Sequence, residues 1–192
     1  MSNPLPDTLP DALSAARSGA GDEAVCHASS EAPAGKTAAQ SSVTLTHQVL
    51  PEDANPAGNV HGGVILKLID TAAGVVAMRH VRGWAVTASI DRMDFLKPVY
   101  VGELVILKAS LNMVGRTSME IGVRVEAENL LTGEVRHTNS AYLTFVALDD
   151  KGCPRPAPEL LVAGDDVAER RLRQALRRRE LRRQAIAEER RG

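Results

Sequence analysis

The chain has 192 residues, 44% of them hydrophobic and 24% charged, with a formal net charge of −1. That is room for one domain of ordinary size plus tails, with enough apolar content to bury a core. The near-zero charge gives no footprint for nucleic acid or a membrane surface, and 3% aromatic content argues against a stacking platform for bases.

Residues 1–40 are rich in Ala, Ser, Pro, Gly and Asp without a hydrophobic period, so they are expected to be a disordered tail. The start lacks a basic stretch followed by an apolar run, so no signal peptide is expected. No apolar stretch approaches the roughly 20 residues that cross a bilayer. The two cysteines, Cys26 and Cys153, fall far apart in tail and loop. Free thiols in a reducing cytoplasm are expected.

From Ser42 onward Val43, Leu45, His47 and Val49 alternate with polar residues, the period of a strand. Pro51–Asn59, broken by Pro51, Pro56 and Gly58, reads as loop. His61–Arg79 has helical spacing: Ile65, Leu68, Ala72 and Val75, widened by Val64, Ile69 and Val76, predict a largely buried helix. Arg79, His80, Arg82 and Gly83 fit its C-terminus, with Gly83 as the stop. Ala85–Ala147 reads as four strands in a meander. Val105, Leu107, Ala109, Leu111 and Met113 form one inward row and Met119, Ile121, Val123, Val125 and Ala127 the next. Gly115-Arg116-Thr117 and Leu131-Thr132-Gly133 are the hairpin turns.

One apolar helix is available to cover this sheet. The expected fold is α+β of the hotdog type, a curved antiparallel sheet wrapped around one long central helix, with a further C-terminal helix. Residues 41–150 hold that domain and 151–163 a Pro-rich linker. Residues 164–192 hold ten Arg and six acids, net +4, against net −5 for the rest. They predict a charged helix laced with i,i+4 pairs such as Glu169–Arg173, facing solvent or an oligomer rather than nucleic acid.

The chemistry concentrates in PEDANPAGNVHGGVILKLIDTAAG. Gly62 and Gly63 stand where loop becomes helix, where amide N–H groups can hold an oxyanion and no Cβ blocks a thioester carbonyl. A plain N-terminal turn would also use them. Asp70 sits two turns on, within an apolar helix, and reads either as a general base or nucleophile or as a salt-bridge partner of Lys67 or an Arg. Seven residues span about 10 Å, too far for Asp70 to reach a group held at Gly63 of its own helix. Two such helices lying antiparallel across a two-fold axis would bring them together. Asn55 is placed to orient water, or to form an Asx turn before Pro56. His61 could meet substrate or simply end the loop.

The run DANPAGNVHGGVILKLID followed by TAAGVVAMRH resembles the acyl-CoA thioesterase branch of the hotdog superfamily, and most of all the cytosolic (brain-type) long-chain acyl-CoA hydrolases. DFLKPVYVGE, SMEIGVRVEAENLLTGE and the charged terminal helix extend the resemblance over roughly residues 42–190. The resemblance implies hydrolysis of a fatty acyl-CoA, with Asn55 of one protomer and Asp70 of the other as the active pair. It implies a homodimer assembled as a trimer of dimers. Asn59, His61, Gly62, Gly63, Thr87, Ser89 and Arg116 become substrate or CoA contacts, Arg116 as a fork for a phosphate. No cofactor is implied beyond the CoA of the substrate. The histidines His27, His47, His61, His80 and His137 show no metal-ligand spacing. A small-aryl thioesterase and a non-catalytic acyl-CoA binder are the alternative readings. A dehydratase is disfavoured by the absence of an HFPGxP-type stretch.

Overall fold

The computed structural model describes residues 34–91, 93–189 and 191. The expectations for residues 1–33, a free Cys26 among them, lie outside these. In chain order the elements are β1 (Lys36–Thr37), β2 (Val43–Gln48), helix α1 (Gly62–Val81), β3 (Ala85–Ile90), β4 (Leu104–Val114), β5 (Ser118–Glu128), β6 (Val135–Ala147), β7 (Leu160–Leu161) and helix α2 (Asp166–Glu189).

Strands β2 to β6 form one antiparallel sheet in the order β2-β4-β5-β6-β3. Apart from Met113, which a bulge at Asn112 sets opposite Glu120 and outside the core, the rows predicted to point inward on β4 and β5 are buried in the core. They meet α1, which packs against all five strands, so the sheet must curl around it. The buried stripe of α1 is Ile65, Ile69, Ala72 and Val76, spaced four, three and four residues apart. Leu68 and Val75, expected in that stripe, are half-buried beside it.

The meander is corrected in one respect: β4, β5 and β6 are consecutive neighbours, but β3 pairs with β6 at the far edge. Asp91 and residues 93–103 are loop rather than strand. Pro98, which has no N–H to give a ladder, lies in the middle of them. The helix stop is also displaced. Arg82 takes the left-handed position (φ 49°) and donates its N–H to Met78 O. Gly83 has a different use: it leaves room for the Arg155 guanidinium, which donates to Val81 O at 2.7 Å and so closes the helix end.

The tail and linker boundaries move as well. Lys36–Thr37 pairs in parallel with Leu160–Leu161, and Ala157 and Leu160 are buried, so both segments strap the C-terminal end of α1. At their centre is His80, fully buried. Its Nε2 lies 2.8 Å from Pro158 O and its Nδ1 3.1 Å from Ser41 Oγ. A carbonyl only accepts, so Nε2 carries the proton and the Ser41 hydroxyl donates to Nδ1. Cys153 is disulfide-bonded, contrary to the expected free thiol.

Helix α2 lies on the outer face of the sheet, and the contact is polar. Glu120, with no exposed surface, meets Arg178 at 2.6 Å and Asn112 Nδ2 at 3.3 Å. The Arg178 guanidinium stacks 3.7 Å from the Tyr142 ring centre. Arg182 grips Asp91 at 2.6 and 2.7 Å. Its apolar Val167, Leu176, Leu181 and Ile186 are exposed, as expected of a helix that faces solvent or an oligomer. The Glu169–Arg173 pair is present at 3.8 Å.

Burial, aided by the nearby Lys36 charge, holds the His80 pKa below its ordinary 6.5. The unfolded chain therefore binds one more proton than the folded one between the two values. The stability due to neutral His80 is complete above pH 6.5 and is lost as pH falls through the folded-state pKa. Thermal unfolding followed from pH 7.5 to 5 should show a falling Tm. In His80→Gln this histidine's share of the slope should vanish, with a lower Tm at neutral pH.

Candidate active site

The loop into α1 is built from its own side chains. Asp53 Oδ2 accepts from Leu50 N–H at 2.9 Å and meets His47 Nε2 at 2.8 Å, which ties the loop to β2. These two hydrogen bonds, the Leu50 amide first, hold the Asp53 carboxyl below the usual carboxylate range. Asn55 Oδ1 accepts from Ala57 N–H at 2.8 Å, an Asx turn ahead of Gly58 in the left-handed region (φ 83°). Its Nδ2 donates to Asn59 Oδ1 at 2.5 Å. Both side-chain groups of Asn55 thus act inside the loop, as the Asx-turn reading expected.

His61 is the N-cap of α1. Its Nδ1 accepts from Gly63 N–H at 3.1 Å on an exposed surface. One of the two amides read as oxyanion donors is therefore engaged by the cap, while Gly62 N–H has no acceptor among the described residues. A Cβ at Gly62 would stand 3.2 Å from Phe95 Cζ, so glycine lets that ring close over the helix start.

A cleft of about 530 Å³ opens here, lined by Asn59, Val60, Gly62 and Ile65 on one side, Phe95 to Val99 on the other, and Asn139 at the back. The far lip is clamped from β6. Arg136 gives Glu103 a two-pronged bond, 2.7 and 2.6 Å, and donates to Pro98 O at 2.9 Å. The Arg136 hydrogen bond keeps Glu103 below the usual carboxylate range despite its burial. Leu96 N–H donates to Thr138 O at 3.0 Å, and Asn139 Nδ2 to Asp94 O at 3.2 Å.

Asp70 lies outside this cleft, half-buried on α1. Its Oδ1 accepts from Thr87 Oγ1 of β3 at 2.7 Å. No cation pairs with it among the described residues, so the salt-bridge reading to Lys67 or an Arg does not hold. Ser89 is half-buried on the same strand, past a bulge between Thr87 and Ser89. Arg116 is exposed on the β4–β5 turn, where its carbonyl accepts from Ala157 N–H near the C-terminal end of α1. Within one chain the structure gathers Asn55, Asn59, His61, Gly62 and Gly63 at the helix start, and Asp70 with Thr87 midway along it. It leaves Arg116 at the other end. Sequence reasoning missed Phe95, Arg136 and Asn139. Of these Asn139 was detectable, as a polar residue in the otherwise apolar row Ala141, Leu143 and Phe145.

A sheet curled around one helix, with a cleft at the helix start, defines a hotdog-fold protein. Residues 57–134 match the family model described as the thioesterase superfamily. An uncharacterized acyl-CoA thioester hydrolase of Bacillus subtilis is 40% identical over 131 residues, 68% of this chain and 76% of that protein. The mouse cytosolic acyl coenzyme A thioester hydrolase is 41% identical over 115 residues, 57% of this chain and only 30% of that longer one. A solved apo-hexameric acyl-CoA thioesterase matches with a TM-score of 0.77 and 38% identity, over 81% of this chain and 99% of that one. A Staphylococcus aureus acyl-CoA hydrolase in complex with butyryl coenzyme A, coenzyme A and coenzyme A disulfide gives 0.75 and 33%, over 81% and 94%. Structures of that hydrolase with an aspartate, an asparagine or a threonine replaced by alanine match as well. The chain belongs to the thioesterase superfamily, among its acyl-CoA thioester hydrolases.

The cleft's lip depends on Arg136. Arg136→Met should strand the buried Glu103 carboxylate and cost on the order of 3 kcal/mol in denaturant unfolding. Limited proteolysis should cut the loop 93–103 faster than in the parent.

Proposed function

We propose that the chain hydrolyses fatty acyl-CoA to free acid and CoA at composite sites formed by two copies of itself. The observation that carries this reading is Asp70, a carboxylate on an apolar helix held by one hydroxyl and by no cation among the described residues. A salt bridge would have made it structural. A lone hydroxyl positions it and leaves its second oxygen able to take a proton.

In the proposed reaction the thioester oxygen meets the Gly62 amide at the start of α1, joined by Gly63 when the ligand displaces the exposed His61 ring. Asp70 of the partner copy takes a proton from water as the water oxygen attacks the thioester carbon. The negative charge moves onto the carbonyl oxygen at the helix N-terminus, where the dipole favours it. As the oxyanion collapses, the C–S bond breaks and CoA leaves as thiolate, which recovers the proton from Asp70. Asn55 assists by orienting the water. A transient acyl-aspartyl anhydride would use the same residues.

Spacing supports the assignment. The alanine substitutions in the Staphylococcus aureus enzyme fall at an asparagine, an aspartate fifteen residues later and a threonine seventeen residues after that. Asn55, Asp70 and Thr87 repeat both intervals. A dimer is supported by β3, an edge strand with no buried residue that ends in exposed Ile90, and by exposed apolar Phe95 and Leu96 on the cleft. We propose further that three dimers form a hexamer, and that the enzyme works in the cytoplasm. Among the described residues no helix is long and apolar enough to cross a membrane.

Release of CoA thiol from acetyl- to palmitoyl-CoA tests the reading. Asp70→Asn should lower kcat by about 10²–10⁴-fold with assembly unchanged. Near-parental turnover by that variant would overturn it. Mixed subunits test the composite site, because an Asp70→Asn chain and an Asn55→Ala chain, each inactive alone, rebuild one intact site per hybrid dimer. No recovery on mixing would place both residues in one subunit. Thr87→Val should cost about tenfold or more in kcat, as expected for a hydrogen bond to a charged group, and Thr87→Ser should restore most of it.

A further inference from the structure

Strand β6 alternates cleanly, with Ala141, Leu143, Phe145 and Ala147 pointing at α1 and almost wholly buried. Asn139 occupies the next position of that same row and is 0% exposed. A β-bulge sets its position: Asn139 is opposite Val125 and His137 opposite Glu126, which leaves Thr138 without a register partner. Beyond the bulge the row ends at the cleft, whose lining Asn139 shares with Gly62 and Ile65.

Its two amide ends fare differently. Nδ2 donates to Asp94 O at 3.2 Å. Oδ1 is buried and has no hydrogen-bond partner among the described residues. Buried polar atoms are almost always paired, and a leucine of similar volume would fill this apolar row at no such cost. The other unpaired atom of this kind, Thr144 Oγ1, is on a residue of the opposite row, beside Glu120, and does not line the cleft. Asn59, the other amide in the cleft, already spends its Oδ1 on Asn55.

An unfilled acceptor calls for a donor on the ligand. The acyl chain and thioester of an acyl-CoA offer none. The pantetheine arm carries secondary amides, the nearer N–H two carbons from the sulfur. We propose that Asn139 Oδ1 accepts a hydrogen bond from that N–H and so fixes the sulfur relative to the Gly62 amide. Asn139 is then a substrate-positioning residue that the catalytic groups do not replace. The inference rests on the hydrolase reading above and names the contact that recognises the thiol half of the substrate.

A cycle of two substrates and two proteins tests it, after butyryl-CoA has shown that the parent enzyme is a hydrolase. S-butyryl-N-acetylcysteamine keeps the N–H, and its N-methyl analogue lacks it. The parent should lose about threefold to tenfold in kcat/KM on methylation, mainly through KM. Asn139→Leu should fall to the methylated level with either substrate and show no further sensitivity, while its Tm stays equal or rises. If the parent is indifferent to methylation, or Asn139→Leu remains as sensitive as the parent, the proposal is overturned although the hydrolase reading stands. If Asn139→Leu fails to fold, the parent's response to methylation and the same comparison in Asn139→Ala decide the matter. A parent with no activity on butyryl-CoA would instead remove the hydrolase reading itself.

Discussion

A helix that is apolar on most of its circumference cannot be left in water, and here one sheet must cover it alone. Helix α1 touches all five strands, so the sheet is forced to curl and its inward rows are committed to the core. Chemistry can then occupy only what the wrap leaves open. The start of the helix is open, because the first amides have no partner within a helix. So is the side of α1 facing the edge strand β3, where the core-facing rows stop. The candidate groups fall on these two places: the glycine amides at the start, and Asp70 with Thr87 at the β3 side.

Charge is arranged around that constraint. Inside the wrap the only fully buried titratable group on α1 is His80, kept neutral by its carbonyl and hydroxyl partners. Outside, the sheet presents Glu120, Asn112 and Ser110, and α2 answers with Arg178 and Arg171. A buried ion pair contributes little net stability, but breaking it is costly, so it fixes which face of α2 can dock. Arg136 and Glu103 do the same for the loop that roofs the cleft. In each case a planar guanidinium takes a position where a lysine could not form the fork.

How much of this was readable follows from the range of each interaction. The helix and the inward rows of β4 and β5 were legible, because a period of 3.6 or 2 is written locally. The partner of β3 was not, since a strand's own residues do not say which edge it joins. Segments 36–40 and 157–161 look like tail and linker by composition, and only the shared contact with the end of α1 orders them. Helix α2 was legible as a charged helix, but not the face by which it docks, because that face is built from arginines whose partners lie some sixty to ninety residues away. Asp70 was found by its incongruity within an apolar helix. Asn139 has the same mark, a polar residue in the apolar row Ala141, Leu143 and Phe145, but that its Oδ1 goes unpaired is set by tertiary contacts no local pattern reveals.

The separation of Asp70 from the glycine amides is the reason to think in terms of two copies. Seven residues of helix put about 10 Å between them, and no side-chain motion of an aspartate covers that distance. If Asp70 served a site within its own chain, the thioester would have to lie midway along α1, where residues 72 and 73 are sealed in the core and no helix amide is free. Across a two-fold axis the same 10 Å becomes the offset that brings one helix start opposite the other's carboxylate. Such an axis would also cover the exposed apolar rim of the cleft. One geometric step would then account for three features of the described residues: a carboxylate without a counter-charge among them, an edge strand without a partner among them, and a cleft lip that is apolar yet exposed.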